Sequence, residues 1–187
     1  WGSQWMVDHH PEVFDGCTEA ISEVGGYSVS LPIQGSDQTR RAYLLQTAEK
    51  GFAWVHLRAT GRAGHGSLPN DQNAIVRLAE AINRINQHDW PIEYVASVQA
   101  LFDEVAQITG VSPDDDLEAF LDLLGGGRAF VAGTLRDSAN FTRLDAGYKN
   151  NVIPGAATAH IDCRFLPGNQ DALLDTLREL AGEHVEL

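Results

Sequence analysis

A chain of 187 residues with 43% apolar side chains is long enough for one domain with a real core, or for one domain joined to part of another. Its formal charge of −13, from 26 acidic against 13 basic side chains, opposes long-range attraction to nucleic acid or to an anionic membrane surface, so neither is expected as a partner. No run approaches the roughly 18 to 20 apolar residues of a membrane span, and residues 1–15 lack the charged and apolar regions of a signal peptide. Cys17 and Cys163 lie too far apart in sequence for a redox or ligand pair; both read as small buried apolar residues in a reducing, cytoplasmic setting. An opening Trp1 in place of methionine reads as a piece of a longer polypeptide.

In chain order, residues 1–49 begin with a short amphipathic stretch around Trp5, Met6 and Val7. They continue through a polar turn at Gln34–Gln38 to an apolar strand around Ala42–Leu45. From Phe52 the pattern sharpens, because Ala53, Val55, Leu57 and Ala59 alternate with Trp54, His56, Arg58 and Thr60, the period of a half-buried strand. The glycine turn Gly61–Gly66 follows, then a helix with Ala74, Ile75, Leu78, Ala79, Ile82 and Ile85 on one side, capped by Asn70 or Asp71 and ending near His88. Residues 92–127 carry helical spacing, and Gly125-Gly126-Gly127 stops it. Phe130–Leu135 and Asn140–Tyr148 are strand candidates, the second the clearer. Ala157–Phe165 alternates most cleanly of all, and a helix with Leu173, Leu174, Leu177 and Leu180 closes the chain. This order predicts an α+β fold, with one antiparallel four-stranded sheet covered on one face by two helices in a ferredoxin-like arrangement, and a helical insert.

The chemistry concentrates on His65. It sits in Gly61-Arg62-Ala63-Gly64-His65-Gly66-Ser67-Leu68-Pro69, where flanking glycines strip side-chain cover and permit unusual backbone angles, leaving the imidazole reachable. Ser67 lies two residues on, but neighbours on a tight turn seldom align as base and nucleophile, and no third group is evident to orient the ring. An anion cradle at the helix start lacks the lysine of its strong form. His160 and Asp162 share a strand face but are two ligands at most, and they read as a polar pair on a solvated face. His9-His10 reads as exposed helix surface. Arg164, on that same polar face, either grips a carboxylate or forms a salt bridge within the sheet; its position alone leaves both open.

Two separated motifs, the glycine turn followed by Asn73-Ala74-Ile75, and Asn151-Val152-Ile153-Pro154 followed by Asp162-Cys163-Arg164-Phe165-Leu166-Pro167-Gly168, closely resemble the M20 peptidase family, which contains aminoacylase, acetylornithine deacetylase and glutamate carboxypeptidase. The resemblance covers about residues 51–187, apart from a helical insert at about 86–139. It implies a lid and dimerisation domain at 50–187 and, at 1–49, a remnant of a zinc-binding catalytic domain. The implied intact enzyme is a two-zinc amidohydrolase acting on peptides or N-acyl amino acids as a homodimer. In it His65 stabilises the oxyanion in the partner's active site, and Asn151 and Arg164 contact the substrate. Glu23 resembles the family's late zinc-binding carboxylate. The family's other zinc ligands and its Glu-Glu pair have no counterpart here, so the segment alone is expected to bind no zinc and to be inactive. A non-catalytic module that binds a small molecule or mediates assembly is the alternative.

Overall fold

The computed structural model describes residues 2–20 and 26–187. In chain order the elements are α1 (Ser3–His9), β1 (Ser28–Pro32), β2 (Thr39–Tyr43), β3 (Gly51–Thr60), β4 (Gly64–His65), α2 (Ala74–Asn86), α3 (Ala96–Thr109), α4 (Leu117–Asp122), α5 (Arg128–Ala132), β5 (Ser138–Ala146), β6 (Val152–Ile153), β7 (Ala156–Phe165), α6 (Gln170–Ala181) and β8 (Val185–Glu186).

Two ten-residue strands with strict alternation set the frame. β3 and β7 pair antiparallel along their whole length, from Gly51 opposite Phe165 to Thr60 opposite Ala156. β5 pairs with the far side of β7 through a bulge between Phe141 and Arg143, and β8 covers only Arg58 and Ala59 of β3, giving the order β5-β7-β3-β8. Because side chains alternate across a strand, Val55, Leu57, Ala59, Ala157, Ala159, Ile161 and Cys163 all face one way. There they meet Leu78, Ala81 and Ile85 of α2 and Leu173, Leu177 and Ala181 of α6 in one buried core. Arg84 ties the helices together, its Nε donating to Leu180 O at 2.6 Å and its Nη2 to Ala181 O at 2.8 Å. Among the described residues the opposite sheet face carries no helix, and Trp54 on it is 75% exposed.

A second core lies apart from the first. The β1–β2 hairpin contributes Val29 and Leu31, and the insert contributes Val98, Phe102, Val105, Phe120, Leu121, Leu124, Val131 and Leu135. Phe102 packs edge-on against Phe120 with centroids 4.8 Å apart.

The α+β sandwich with two helices on one face is as expected, with four local corrections. The fourth strand is β8, not Phe130–Leu135, which begins within α5 and continues as a turn; its apolar residues Val131 and Leu135 are four apart and pack on one side into the second core. The α2 cap is Asn73, whose side chain accepts from Ile75 N at 2.9 Å, because Asn70 is occupied bracing the preceding turn. Ile75 is exposed, since the buried stripe runs Ala74, Leu78, Ala81, Ile85. Cys163 is buried but Cys17 is exposed.

Candidate functional site

His65 rises from a two-stranded ribbon at one end of the main sheet. β4 pairs with β6, with His65 opposite Val152 and Gly64 opposite Ile153, and Gly66 N donates to Asn151 O at 2.9 Å. The two motifs singled out from the sequence are therefore neighbours, with His65 and Asn151 both exposed. The approach to this ribbon is braced from several sides. Gly61 N donates to Gly155 O at 3.0 Å, Arg62 N to Gln72 O at 2.8 Å, and Asn70 Nδ2 to Arg62 O at 2.7 Å. Arg77 Nη1 donates to Thr60 O at 2.7 Å, where β3 ends.

The glycines act through space and not through unusual torsions: Gly61, Gly64 and Gly66 all keep ordinary negative φ. A Cβ on Gly61 would fall 2.0 Å from Gln72 O and 2.7 Å from Ala74 N, so only glycine lets the strand pass this close to the start of α2.

Ser67 does reach the imidazole, contrary to the expectation for such close neighbours. Its Oγ lies 2.9 Å from His65 Nδ1, and its backbone N–H donates to the same nitrogen at 3.3 Å. A backbone N–H can only donate, so Nδ1 is the acceptor, and the neutral ring carries its proton on Nε2. The turn thus fixes one tautomer and presents Nε2–H outward as a hydrogen-bond donor. No carboxylate is bonded to the ring among the described residues, so a Ser-His-Asp relay has no third member here.

Arg164 lies elsewhere. It pairs with Phe52 at the opposite end of β7, eight residues from Ala156, roughly 27 Å at the usual strand rise. Its Nε and Nη2 donate to the two oxygens of Asp162 at 2.8 and 2.9 Å, and its guanidinium stands 5.4 Å from the Phe52 ring centroid. The bond to Asp162 raises its pKa above the already high arginine value. The salt bridge within the sheet is therefore present, and it also accounts for Asp162. His160 lies across the strands from His56, the rings tilted by 55° with centroids 4.0 Å apart, as a polar pair on the open face. His9 and His10 are exposed, His9 against Trp5 and His10 beside Glu12.

Glu23 falls outside the described residues. Among the described residues no three His, Cys, Asp or Glu side chains converge to hold a metal ion. They do not fit a zinc pair.

Among the described residues the structure is an α+β sandwich with one uncovered sheet face, an edge strand and an exposed imidazole on a braced turn. Residues 47–186 match the Peptidase dimerisation domain family, and the chain belongs to that family, the dimerisation domain of M20 peptidases. Among curated relatives it is 30% identical over 198 residues to an N-fatty-acyl-amino acid synthase/hydrolase of Xenopus tropicalis, covering 98% of this chain and 34% of that protein. It is 26% identical to a probable carboxypeptidase S-like protein of Dictyostelium discoideum, covering 85% of this chain and 28% of that one. The chain thus spans about a third of the length of these relatives. Among solved structures, an M20 family metallo-carboxypeptidase from Sulfolobus solfataricus superposes with a TM-score of 0.49 at 15% identity, over 74% of this chain and 42% of that one.

Proposed function

We propose that this chain is the lid and dimerisation module of a larger zinc-dependent metallopeptidase or amidohydrolase, which cleaves amide bonds of peptides or N-acyl amino acids. The observation that carries the reading is the exposed His65 imidazole, whose Nδ1 is engaged by Ser67 and whose Nε2 is thereby left to donate, next to Asn151 on a braced ribbon. A preorganised donor of this kind stabilises an oxyanion that forms only in the transition state. Arg164 binds the substrate carboxylate, exchanging its contact with Asp162 for one with the ligand. The two zinc ions, and the proton-shuttling carboxylate, lie outside the described residues, and the segment alone is inactive.

Pairing of two copies gives the separation of His65 and Arg164 a purpose. A small dipeptide spans only about 7 Å, so one chain cannot offer both side chains to the same substrate. β5 is an edge strand, nine residues long with Leu144 65% exposed, and unpaired edges recruit another strand. In β5, Ala146 lies level with Ala157, at the ribbon end, and Ser138 lies level with Arg164. Antiparallel pairing of two β5 strands about a two-fold axis therefore brings the ribbon end of one copy alongside the Arg164 end of the other. Each site then takes His65 from one protomer and Arg164 from its partner.

His65→Ala in the full-length enzyme tests the assignment. Loss of one oxyanion donor lowers kcat by about 10²–10³-fold with KM little changed. Unchanged turnover removes His65 from the mechanism.

A further inference from the structure

A cavity of about 480 Å³ lies where the linker between β2 and β3 crosses the insert helices, beyond the Arg164 end of the main sheet. Its walls are mainly hydrocarbon, supplied by Leu44, Val98, Leu101, Phe130, Val131 and Leu166. Two charged residues line it, Glu49, which is exposed, and Lys50, which is half-buried. The Lys50 ammonium donates to Gly133 O at 3.1 Å and to Arg136 O at 2.6 Å, which leaves the third of its three protons for another acceptor. Gln46, also in the lining, has its Oε1 buried without a hydrogen-bond partner among the described residues. Turning that amide over would exchange an orphan acceptor for a donor.

We propose that this cavity binds a single-chain aliphatic carboxylate, with the chain among the insert side chains and the carboxylate on Lys50. The volume falls within the roughly 300–1,000 Å³ typical of small-molecule sites. Allowing about 30 Å³ for each methylene-sized group, the share one water takes in the liquid, it accepts a chain on the order of a dozen carbons with its head group. Apolar walls favour the chain, each methylene buried against them strengthening binding. The anionic head is selected by the partly desolvated ammonium. Burial pushes the Lys50 pKa down, with the Asp137 charge opposing that shift and Arg164 adding to it. A carboxylate on the remaining proton supplies the counter-charge that burial withholds. This site shares no residue with the His65 ribbon or with Arg164, so its failure and the failure of the hydrolase reading are distinguishable.

The test is calorimetric titration of the 187-residue chain with sodium tetradecanoate below its micelle concentration, beside tetradecanol as the uncharged probe. One tetradecanoate binds per chain, at least tenfold tighter than tetradecanol. Lys50→Met removes that preference while leaving tetradecanol binding unchanged. Ser97→Trp fills the cavity from the first turn of α3, keeps Lys50, and abolishes binding of both probes. Absence of saturable binding to the folded wild-type chain overturns the proposal. So does equal affinity for the two probes in the wild type, a measurement that stands even where Lys50→Met fails to fold. Undiminished binding to folded Ser97→Trp likewise overturns it, by assigning the ligand to some other apolar surface.

Discussion

The two cores of this molecule are built by opposite means. The sheet core rests on two long paired strands and two helices of 12 and 13 residues, and small side chains such as Ala59, Ala157 and Ala159 let the helices sit close to the sheet. The second core gathers large side chains, Phe102, Phe120 and Leu124 among them, from one long helix, α3, and from short pieces around it: a five-residue hairpin strand and helices as short as five residues. Long elements carry their own register and leave the core little to decide. Short ones are held in place by the core they form, because an isolated helix of one or two turns does not repay its nucleation cost. The side chains proposed to act, His65, Asn151 and Arg164, all stand on or beside the long strands, and the cavity opens between the β2–β3 linker, α3 and α5.

The largest expected effect separates the cores. Phe102→Ala empties the centre of the second core and costs about 3–5 kcal/mol, and Leu57→Ala in the sheet core costs about 2–5 kcal/mol. Hydrogen exchange locates each loss. Phe102→Ala should accelerate exchange in β1, α3 and α4 while β3 and β7 stay protected, and Leu57→Ala should do the reverse. Uniform acceleration in both variants would merge the two cores into one cooperative unit and end the contrast.

A smaller effect probes the junction between strand and helix. Gly61→Ala drives a Cβ into Gln72 O and is expected to cost about 1–3 kcal/mol in denaturant melts. It should also displace the His65 ribbon, seen as chemical-shift changes at Gly66 and Asn151. A neutral result would mean that the glycine turn relaxes freely and does not brace the donor.

A further effect is a titration. Cys163, buried on the sheet, has its thiol pKa pushed up to about 11, first by desolvation and then by the Asp162 charge. A raised thiol pKa keeps the folded protein protonated while the unfolded chain ionises near its ordinary value of about 8.5. The folded state therefore binds more protons between these limits, and stability falls as pH rises from about 9 to about 11. Thiol reagents at pH 8 should modify Cys17 and spare Cys163; equal reactivity would show that the sheet core opens readily.

Legibility in the sequence followed the length of each element and not the core it joins: the helical spacing of α3 in the second core was as plain as that of α2 and α6. β3, β7, α2 and α6 could be read because ten or more residues hold one period, and the β4–β6 neighbourhood followed once the two motifs were set on adjoining ends of those strands. The segment 130–135 misled because six mostly apolar residues fit a buried strand or a helix equally well, and only the burial of Val131 and Leu135 together in the second core decides. β1 and β8 gave too few residues for any period. The cap passed from Asn70 to Asn73 because the side chain of Asn70 is spent on Arg62 O and Gln72 N, a contact that no spacing reveals. Arg164 could be placed on its strand face, but not its partner, since Asp162 two residues away is on that face too.

Mixing His65→Ala and Arg164→Ala copies of the full-length enzyme tests most directly whether each site draws on two protomers. Each variant alone should be nearly inactive. After subunit exchange, half of the dimers are mixed and each holds one intact site, so activity should recover to about a quarter of wild type. No recovery, with exchange verified by mass, would contradict the assignment of His65 and Arg164 to opposite sides of a shared site.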